Sequence, residues 1–469
     1  MILHVGTNDI KDDTKSAEVV AAGILNLDAL REAKTAYYKV QFDKVKHDPK
    51  QAWKTVNKIL NRKQKCPDIN SVKTQNGEIT DPNELAESFN DYFTNIGPDI
   101  AKTIDKGNRN FTDYITRVTS NFKFQAVSES KVHRLLLSLN PGKSTGIDKI
   151  PAKIIRIASP VIANSLAKIF NRAITSESVP SEWKAARVTP LHKKGPRNLL
   201  NNYRPISILP VVSKVFEKVL YEQLHDYLVT NNLLSQHQFG FRRSHSTASA
   251  LLDSTNEWFV NMDRGFFNIA VFLDLQKAFD TINHVVLLKK LDFYGLETSA
   301  LNLLKSYLAN RTQMCSVNGT LSRKKLITCG VPQGSILGPL LFLVYINDLP
   351  NSLEYSSTRM FADDTTLTVS GKSVADVEMA INYDLANVKR WLSANKLSLN
   401  LVKTEYLLIG SRHNVNNLAL VPNVFVGDVQ IKRVRETKAL GVCIDEFLSW
   451  NKHIDKIAKK VSSGINIFY

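Results

Sequence analysis

Cysteine is scarce in this sequence of 469 residues. Its four cysteines are far apart and form no C-x-x-C pair: Cys66, Cys315, Cys329 and Cys443. This spacing excludes a zinc knuckle and favours a reducing compartment. We expect free thiols, with Cys315 and Cys329 facing each other across a hairpin as the alternative.

Long apolar segments and a signal peptide are also missing. No apolar run approaches the roughly 20 residues that a helix needs to cross a bilayer. The apolar start of the chain, Met1 to Val5, is far shorter than the core of a signal peptide. We therefore expect no membrane partner and an intracellular location, nuclear or cytoplasmic. Hydrophobic residues still make up 43% of the chain, enough for a globular protein of two or three domains.

Acidic residues are outnumbered by basic ones. The chain has 61 Lys and Arg against 44 Asp and Glu, a formal net charge of +17. A field of this sign suits a polyanion such as nucleic acid, or an anionic membrane surface. A basic protein with neither partner is the alternative.

The first residues resemble part of an unrelated enzyme class. The segment from Met1 to Asp9 has the pattern of a buried strand that runs into a turn, and it is similar to the Gly-x-Asn-Asp block of SGNH esterases. Those enzymes also need a nucleophilic serine in Gly-Asp-Ser and a later Asp-x-x-His, and both motifs are missing. We interpret residues 1–23 as a remnant without esterase activity.

Residues 24–124 are predicted to form a helical linker region that carries no chemistry. Asn76-Gly77 between two β-prone runs predicts a hairpin. Asp81 and Pro82 then predict the capped start of a helix, whose aromatic residues we expect in the core. The polar stretch 107–119 is the expected linker to the next domain.

Two adjacent acids, Asp363 and Asp364, lie between β-prone runs in the segment 357–369. The pattern predicts a strand, a tight turn and a second strand. Carboxylates held close together repel each other, so they raise a pKa or attract a cation. An Asp-Asp pair is also ordinary turn chemistry. A metal site therefore needs a third acid from elsewhere in the chain.

A third acid follows another predicted strand. The nearly continuous apolar run 268–273 predicts a buried central strand, and Asp274 comes directly after it. Between this strand and the paired acids, the Gly-rich bend 330–340 opens an apolar helix predicted to reach Leu349. Gly334 would permit close approach of a ligand, and Gln333 would supply directed hydrogen bonds.

Basic residues cluster where two other predicted strands meet. The segments 184–195 and 203–207 are predicted to pair, which brings Lys193, Lys194 and Arg204 near one tip. Such a tip would clamp a phosphate, and a solvated basic hairpin is the alternative.

A mixed aromatic and basic segment follows a long predicted helix. Phe239, Phe241 and Arg242 combine rings with a cation. This mixture suits stacking on bases and contact with a nucleic-acid backbone. We therefore predict that these three residues bind a template strand.

Taken in order, these motifs resemble those of a known family. Phe-x-Asp-x-x-x-Ala-Phe-Asp at 272–280, Pro-Gln-Gly-Ser at 332–335 and Phe-Ala-Asp-Asp at 361–364 look like motifs A, B and C of reverse transcriptases. The segment 202–207 looks like the finger motif, and 400–404 with 440–442 look like motifs D and E. The residues within these motifs are similar to those of non-LTR retrotransposons (LINEs) of the Jockey-like branch, over about residues 125–450.

The resemblance implies an α+β fold, a right-hand polymerase whose antiparallel palm sheet is backed by helices. Fingers and palm would occupy residues 125–445, with a core at about 172–445. A helical N-terminal region would precede the fingers, and residues 446–469 would begin a truncated thumb. We expect no endonuclease domain.

The resemblance also implies an RNA-directed DNA polymerase that uses an RNA template, a DNA primer and deoxynucleoside triphosphates. Asp274, Asp363 and Asp364 would bind two Mg²⁺ ions. Lys193 or Lys194, together with Arg204, would bind the triphosphate. Gln333 and Gly334 would contact the sugar and the base edge. Lys403 would donate a proton to the departing pyrophosphate.

Phe279 stands where related RNA-dependent RNA polymerases carry an Asp that binds the ribose 2′-hydroxyl, and its ring would block that hydroxyl. Asp280 is expected to cap the next helix or to pair with His284. The alternative to an active polymerase is a truncated or domesticated retrotransposon fragment that only binds nucleic acid.

Overall fold

The computed structural model describes residues 29–45, 47–59, 68–74, 77–105, 107–418 and 420–465, in two compact units that divide between Asp68 and Ile69. The first unit contains helices α1 (residues 29–43) and α2 (Pro49–Ile59). The esterase-like remnant 1–23 and Cys66 lie outside the described residues. The three described cysteines are free thiols, as predicted.

The second unit mixes helices and strands, as the α+β prediction requires. Its helices are α3 (Pro82–Lys102), α4 (Glu129–Leu137), α5 (Ala152–Ile157), α6 (Ser159–Thr175), α7 (Val211–Thr230), α8 (Thr247–Asp263), α9 (His284–Phe293), α10 (Thr298–Leu308), α11 (Leu337–Ile346), α12 (Val374–Ala394), α13 (Arg412–Asn416) and α14 (Asn451–Ile465). Short 3₁₀ helices span Phe111–Tyr114, Ser181–Lys184, Leu200–Asn202 and Leu349–Ser352. In the described residues, no helix is long and apolar enough to cross a membrane.

The strands are mostly short. They are β1 (Val72–Thr74), β2 (Gly77–Ile79), β3 (Ala185–His192), β4 (Tyr203–Ile208), β5 (Phe267–Leu273), β6 (Arg311–Val317), β7 (Thr320–Leu321), β8 (Lys325–Ile327), β9 (Ser357–Phe361), β10 (Asp364–Gly371), β11 (Glu405–Ile409), β12 (Phe425–Val426), β13 (Val429–Gln430), β14 (Lys432–Arg433), β15 (Glu436–Ala439) and β16 (Val442–Asp445).

A five-stranded sheet in the order β14-β11-β5-β10-β9, here called the central sheet, carries the middle of the fold. Its β5 pairs antiparallel with both β10 and β11. The residues of β5 alternate between two apolar clusters: Ile269 and Val271 pack with α12, and Ala270 packs with Trp258 of α8. Since helices cover both faces, polar side chains of this sheet reach a cavity where its strands end.

A second sheet has the strand order β4-β3-β6-β7, with β8 paired to β6. Strands β3 and β4 pair antiparallel, with Leu191 opposite Arg204, as the sequence predicts. Phe89 and Phe93 of α3 share one apolar cluster with Val188 and Cys315 of this sheet. Helix α3 is therefore an integral part of the second unit.

The predicted linkers need correction. The compact boundary falls after Asp68 instead of near residue 124. Within the expected linker 107–119, Phe111 and Ile115 are buried in the main core and Arg117 forms an ion pair with Asp292. Polar composition suggested a linker, but these two apolar side chains anchor the segment.

Local predictions upstream of the core hold. Strands β1 and β2 form the antiparallel hairpin, with Thr74 opposite Gly77. Asp81 caps α3 by accepting hydrogen bonds from the N–H groups of Asn83 and Glu84, each at 2.9 Å.

Helix α11 ends at Ile346, and a 3₁₀ turn begins at Leu349, so the apolar helix is shorter than predicted.

Candidate active site

Three carboxylates meet at one end of the central sheet. Asp274 directly follows β5, and the β5–β10 register pairs Leu273 with Thr365. Asp274 and Asp364 come next along the two strands, and their carboxylates are close enough to repel each other. Asp363 occupies the turn between β9 and β10, where Ala362 adopts a left-handed φ of 55°. The predicted strand–turn–strand is confirmed, and Asp274 is the acid that joins it.

The electrostatics of this end of the sheet favour a cation. Partial removal from water raises the pKa of Asp363 and of the more exposed Asp364, and neighbouring carboxylates add to both increases. The charges of Lys193 and Arg204 oppose the increase without cancelling it. Repelling carboxylates of this kind are stabilised by a bound positive ion.

The donor set consists of carboxylate oxygens, which hard ions such as Mg²⁺ prefer. In the described part of the chain, no group of three or more His, Cys, Asp or Glu side chains lies close enough to hold a metal unaided. The acids therefore offer the oxygen ligands of a magnesium site and lie at the same end of the sheet, but as placed they are not close enough together to form one.

The loop before β11 holds Asp274 in place. The Asn400 N–H donates to the carbonyl oxygen of Asp274 at 2.7 Å, and the Asp274 N–H donates to Thr404 Oγ1 at 3.4 Å. On the same loop, Lys403 Nζ lies 3.5 Å from Asp274 Oδ2. The segment predicted as motif D thus contacts the first acid directly.

The acids open into a cavity of about 1860 Å³, larger than the 300–1,000 Å³ typical of small-molecule sites. Eight of the predicted catalytic, nucleotide-binding and template-binding residues line it: Asp274, Asp363, Lys193, Arg204, Phe241, Phe279, Gln333 and Lys403. Lys194, Gly334, Phe239 and Arg242 are outside this lining. A smaller cavity of about 160 Å³ touches Asp274, Asp364 and Lys403.

The two candidate lysines on the basic hairpin differ in position. Lys193 lines the main cavity. Its pKa is lowered by partial desolvation and by the cations Arg204 and Lys403, while Asp274 and Asp363 act in the opposite direction. Lys194 is exposed. Lys193 is therefore the lysine that faces the acids.

An aromatic wall stands beside the acids. The ring of Phe279 stacks on Phe342, with centroids 4.6 Å apart and planes at 22°. Phe241 meets Phe279 edge to face at 6.3 Å and is 51% exposed. Phe342 is fully buried, so the position of Phe279 is fixed from behind.

The predicted roles of Asp280 are wrong. Asn283 caps α9 through its side chain, and His284 Nε2 contacts the carbonyl oxygen of Gly330 at 2.7 Å. Asp280 instead accepts hydrogen bonds from Gln333 Nε2 at 2.9 Å on each carboxylate oxygen. Burial raises the pKa of Asp280 to about 6.

Gly334 serves a different contact from the predicted one. Its φ is +122°, and a Cβ there would lie 2.5 Å from the carbonyl oxygen of Ser207. The Ser207 N–H also donates to the carbonyl oxygen of Gln333 at 2.7 Å. The close approach that requires glycine is thus made by strand β4, which holds the backbone of Gln333.

Phe239 and Arg242 brace the segment between α7 and α8. The Phe239 N–H donates to the carbonyl oxygen of Met360 at 2.7 Å, next to the turn of the acids. Arg242 Nη1 donates to the carbonyl oxygen of Ser235 at 2.7 Å. Of the three predicted template-binding residues, Phe241 alone lines the main cavity.

Sequence reasoning missed two contributors to the cavity. Helix α3 lines it with Ser88, Asp91 and Tyr92, although the region was expected to carry no chemistry and its aromatic residues, Tyr92 among them, were expected in the core. Lys277, with a left-handed φ of 47°, donates to the carbonyl oxygens of Asn201 and Tyr203. The amphipathic pattern of α3 predicted which face packs inward, but gave no signal for what its other face would meet.

Known proteins resemble this chain over the same region. A family described as reverse transcriptase (RNA-dependent DNA polymerase) matches residues 191–444. In Drosophila melanogaster, the chain is 30% identical over 361 residues to the probable RNA-directed DNA polymerase from transposon BS, which covers 74% of this chain and 38% of that protein. It is also 30% identical over 341 residues to the RNA-directed DNA polymerase from mobile element jockey, covering 71% and 36%.

A more distant relative aligns over more of the chain. The Retrovirus-related Pol polyprotein from type-1 retrotransposable element R1 of Bradysia coprophila is 25% identical over 415 residues, covering 87% of this chain and 39% of that protein. The chain thus spans 36% to 39% of the length of these three curated relatives.

Proposed function

Because the chain belongs to the reverse transcriptase family, we propose that it is an RNA-directed DNA polymerase that adds deoxynucleotides to a primer 3′-hydroxyl during the copying of a retrotransposon. The observation that carries the proposal is the meeting of Asp274, Asp363 and Asp364 beside a cavity lined by Lys193 and Arg204. Its template would be RNA and its primer DNA, and it would act where such templates are present, in the nucleus or the cytoplasm.

In this proposal, the central sheet is the palm and the sheet of β3, β4 and β6 belongs to the fingers. Residues 125–445 make up these two parts, and α14 begins a thumb. The polar face of α3 adds a wall to the cleft, since its residues line the same cavity as the acids.

Asp274, Asp363 and Asp364 would hold two Mg²⁺ ions. When bound, these ions supply activation of the primer hydroxyl and neutralisation of charge on the triphosphate. Arg204 and Lys193 bind the triphosphate oxygens, because both cations line the cavity that the acids enter. Lys403 donates a proton to the departing pyrophosphate.

Phe279 selects the sugar in this proposal. Its ring lines the cavity and is backed by the buried Phe342, so it cannot retreat from a 2′-hydroxyl. Phe241 offers an exposed ring on which a template base stacks. Phe239 and Arg242 support that ring through the backbone contacts of their segment.

Primer extension on poly(rA)/oligo(dT) with dTTP and Mg²⁺ tests the proposal. The protein should incorporate dTMP, and Asp363→Ala should abolish incorporation while template binding, followed by fluorescence anisotropy, persists. Asp428→Ala, in the exposed turn between β12 and β13, is the matched control and should extend normally. Equal incorporation by the protein and Asp363→Ala, or binding without incorporation by either, contradicts the proposal; the second result supports a fragment that only binds nucleic acid.

A further inference from the structure

A short segment between α7 and α8 covers the edge of the central sheet. The Met360 N–H, on the edge strand β9, donates to the carbonyl oxygen of His237 at 2.8 Å, and the Phe239 N–H donates to the carbonyl oxygen of Met360 at 2.7 Å. Gln238 therefore lies beside Met360 as a parallel bridge. It is 2% exposed, so its side-chain amide is enclosed by the protein.

The buried amide of Gln238 reaches the turn that carries the acids. Its Oε1 accepts hydrogen bonds from the N–H of Ala362 at 2.9 Å and from the N–H of Gly240 at 2.7 Å. Gly240 leaves room for this contact, because a Cβ on it would lie 2.3 Å from the Ala362 nitrogen. Ala362 is buried, and a buried N–H group without a partner is costly. The bond from Ala362 to Gln238 therefore stabilises the turn.

The turn needs this support because of the residue at its first position. The β9–β10 register pairs Phe361 with Asp364, which leaves Ala362 and Asp363 as a two-residue loop. Ala362 has a left-handed φ of 55°, and Asp363 does not. This combination is typical of a type II′ turn, in which glycine is preferred at the first position. Alanine is less favourable there, because its Cβ crowds the backbone, so contacts from outside the turn must maintain its shape.

We propose that Gln238 is a positioning residue whose oxygen holds the Ala362 N–H, keeps the turn left-handed and so fixes the direction of the Asp363 carboxylate. This inference rests on the proposed polymerase function. Asp363 directly follows Ala362 and lines the main cavity together with Asp274. A rotation of the turn therefore moves one acid relative to the other, and a displacement of about 1 Å in a reacting group can cost about 100-fold in rate.

The two ends of the Gln238 amide can be separated by substitution. Its Nε2 is buried and has no hydrogen-bond partner among the described residues. Glutamate in its place keeps an oxygen acceptor, whether ionised or protonated, and loses no hydrogen bond of the nitrogen. Leucine removes the acceptor at a similar volume. Gln238→Glu should therefore preserve the positioning, and Gln238→Leu should not.

The first test is steady-state primer extension on poly(rA)/oligo(dT) with dTTP. Gln238→Leu should lower kcat by about 10- to 100-fold and leave KM for dTTP unchanged, because Lys193 and Arg204 stay in place. Gln238→Glu should keep kcat close to that of the unsubstituted protein. Gln430→Leu, the same change in the exposed strand β13, is the matched control and should extend normally.

Hydrogen–deuterium exchange gives a readout that does not depend on activity. In Gln238→Leu, exchange of the Ala362 amide should rise by about tenfold, the effect of losing one hydrogen bond, while residues 268–273 of β5 keep their protection. Template binding, followed by fluorescence anisotropy, should stay unchanged. A loss of template affinity that parallels the loss of kcat would mean that Gln238 acts through Phe241 on its own segment, which overturns the inference.

The left-handed φ provides a further test. Glycine adopts a positive φ without the penalty of a Cβ. In an Ala362→Gly background, the loss of kcat caused by Gln238→Leu should therefore shrink by about fivefold or more. An equal loss in both backgrounds would show that Gln238 does not act by keeping the turn left-handed.

The outcomes distinguish this inference from the function on which it rests. If the unsubstituted protein does not extend, the polymerase proposal is wrong, and the exchange measurement still decides whether Gln238 holds the turn. If it extends, and Gln238→Leu and Gln238→Glu are equally impaired, Gln238 has only a structural role and the inference is overturned. A normal kcat in Gln238→Leu overturns it as well.

Urea unfolding identifies a variant that fails to fold. In that case Gly240→Ala replaces Gln238→Leu, because its Cβ displaces the Ala362 nitrogen from the other side, and it should lower kcat in the same way. Gly142→Ala is its control, since a Cβ there meets nothing closer than the Asn140 side-chain oxygen at 3.4 Å. Equal extension by these two alanine variants would overturn the inference.

Discussion

The ammonium group of Lys403 lies 3.5 Å from Oδ2 of Asp274, the acid at the end of the central strand. The Lys403 side chain is 51% exposed, and an exposed ion pair contributes only about 0–1 kcal/mol to stability. Stability alone therefore gives little reason for a lysine here. Its position next to the first acid favours a part in the chemistry.

Lys403→Leu is expected to lower kcat by about 100-fold, the scale of general acid catalysis, with little change in KM. Lys403→Arg keeps the charge but should also lower kcat, because a guanidinium group does not release its proton near neutral pH. Steady-state primer extension measures both constants. Full activity of Lys403→Arg would show that Lys403 supplies charge and no proton.

Phe279→Val should admit ribonucleotides. The substitution removes the ring that lines the cavity and leaves Phe342 too deeply buried to replace it. We expect the kcat/KM ratio of UTP to dTTP to rise by about tenfold or more, within the range for a change in pocket shape. Phe425→Val, on the distant β12–β13 hairpin, is the matched control. An unchanged ratio in Phe279→Val would remove Phe279 from sugar selection.

Gly334→Ala should damage the site more than the same change at another left-handed glycine. A Cβ at Gly334 meets the Ser207 carbonyl oxygen at 2.5 Å, whereas Gly319, with φ +92°, has nothing within 4 Å. Gly319→Ala should cost about 1 kcal/mol of unfolding free energy, from the backbone conformation alone, and leave extension intact.

For Gly334→Ala we expect a larger loss of stability together with a loss of nucleotide incorporation, because β4 must shift and Gln333 is bonded to it. Urea unfolding and primer extension measure the two effects. Equal behaviour of the two alanine variants would show that the Gly334–Ser207 approach does not position Gln333.

The three acids were predictable because each adjoins a strand that its own apolar pattern defines. Once β5 is central and β9 and β10 form a hairpin, Asp274, Asp363 and Asp364 must meet at one edge. The apolar patterns place each acid next to a strand, whereas the pairing of β5 with β10 comes from the structure, and the sequence implied the set of three acids through the family resemblance.

The Asp280–Gln333 pair was not predictable in the same way. The two residues are 53 positions apart and lie on loops, where no periodicity defines a direction for the side chain. Asp280 precedes a helix, so local reasoning made it a cap, but Asn283 lies closer to the start of α9 and takes that role. Both Asp280 and Asn283 could have accepted hydrogen bonds at the start of α9, and the tertiary contact of Asp280 with Gln333 leaves that role to Asn283.

Glu217 is a second buried acid that sequence reasoning overlooked, since it lies within the amphipathic helix α7. It is 1% exposed. It accepts hydrogen bonds from the N–H groups of Ile336 and Leu337 and from the Tyr307 hydroxyl. Helix α11 has no side-chain cap of its own. Glu217 therefore caps the helix that follows the Gln333 loop.

Glu217→Ala should lower the free energy of unfolding by about 3–5 kcal/mol, because it leaves buried N–H groups and the nearby buried Arg311 without a counterpart. Glu222→Ala is the control. Glu222 lies on the same helix, and its carboxylate is 27% exposed and paired with Lys131 and Lys218. That control should cost about 1 kcal/mol or less. Urea unfolding at neutral pH compares the two, and similar losses would contradict the capping role.

The pH dependence of Glu217 provides the last prediction. Burial raises the pKa of Glu217 above its ordinary value of 4.5, so the folded protein binds this proton more tightly than the unfolded chain does. The stabilisation from the protonated form is complete below the unfolded pKa and is lost as the pH rises through the folded pKa. Glu217→Gln cannot titrate.

The stability of the unsubstituted protein relative to Glu217→Gln should therefore decrease as the pH rises from 4.5 to 8. Urea unfolding of both proteins across this range measures the difference, and acids common to both cancel in it. A difference that stays constant with pH would mean that Glu217 is ionised equally in the folded and unfolded states, which would contradict its burial as the governing influence on its charge.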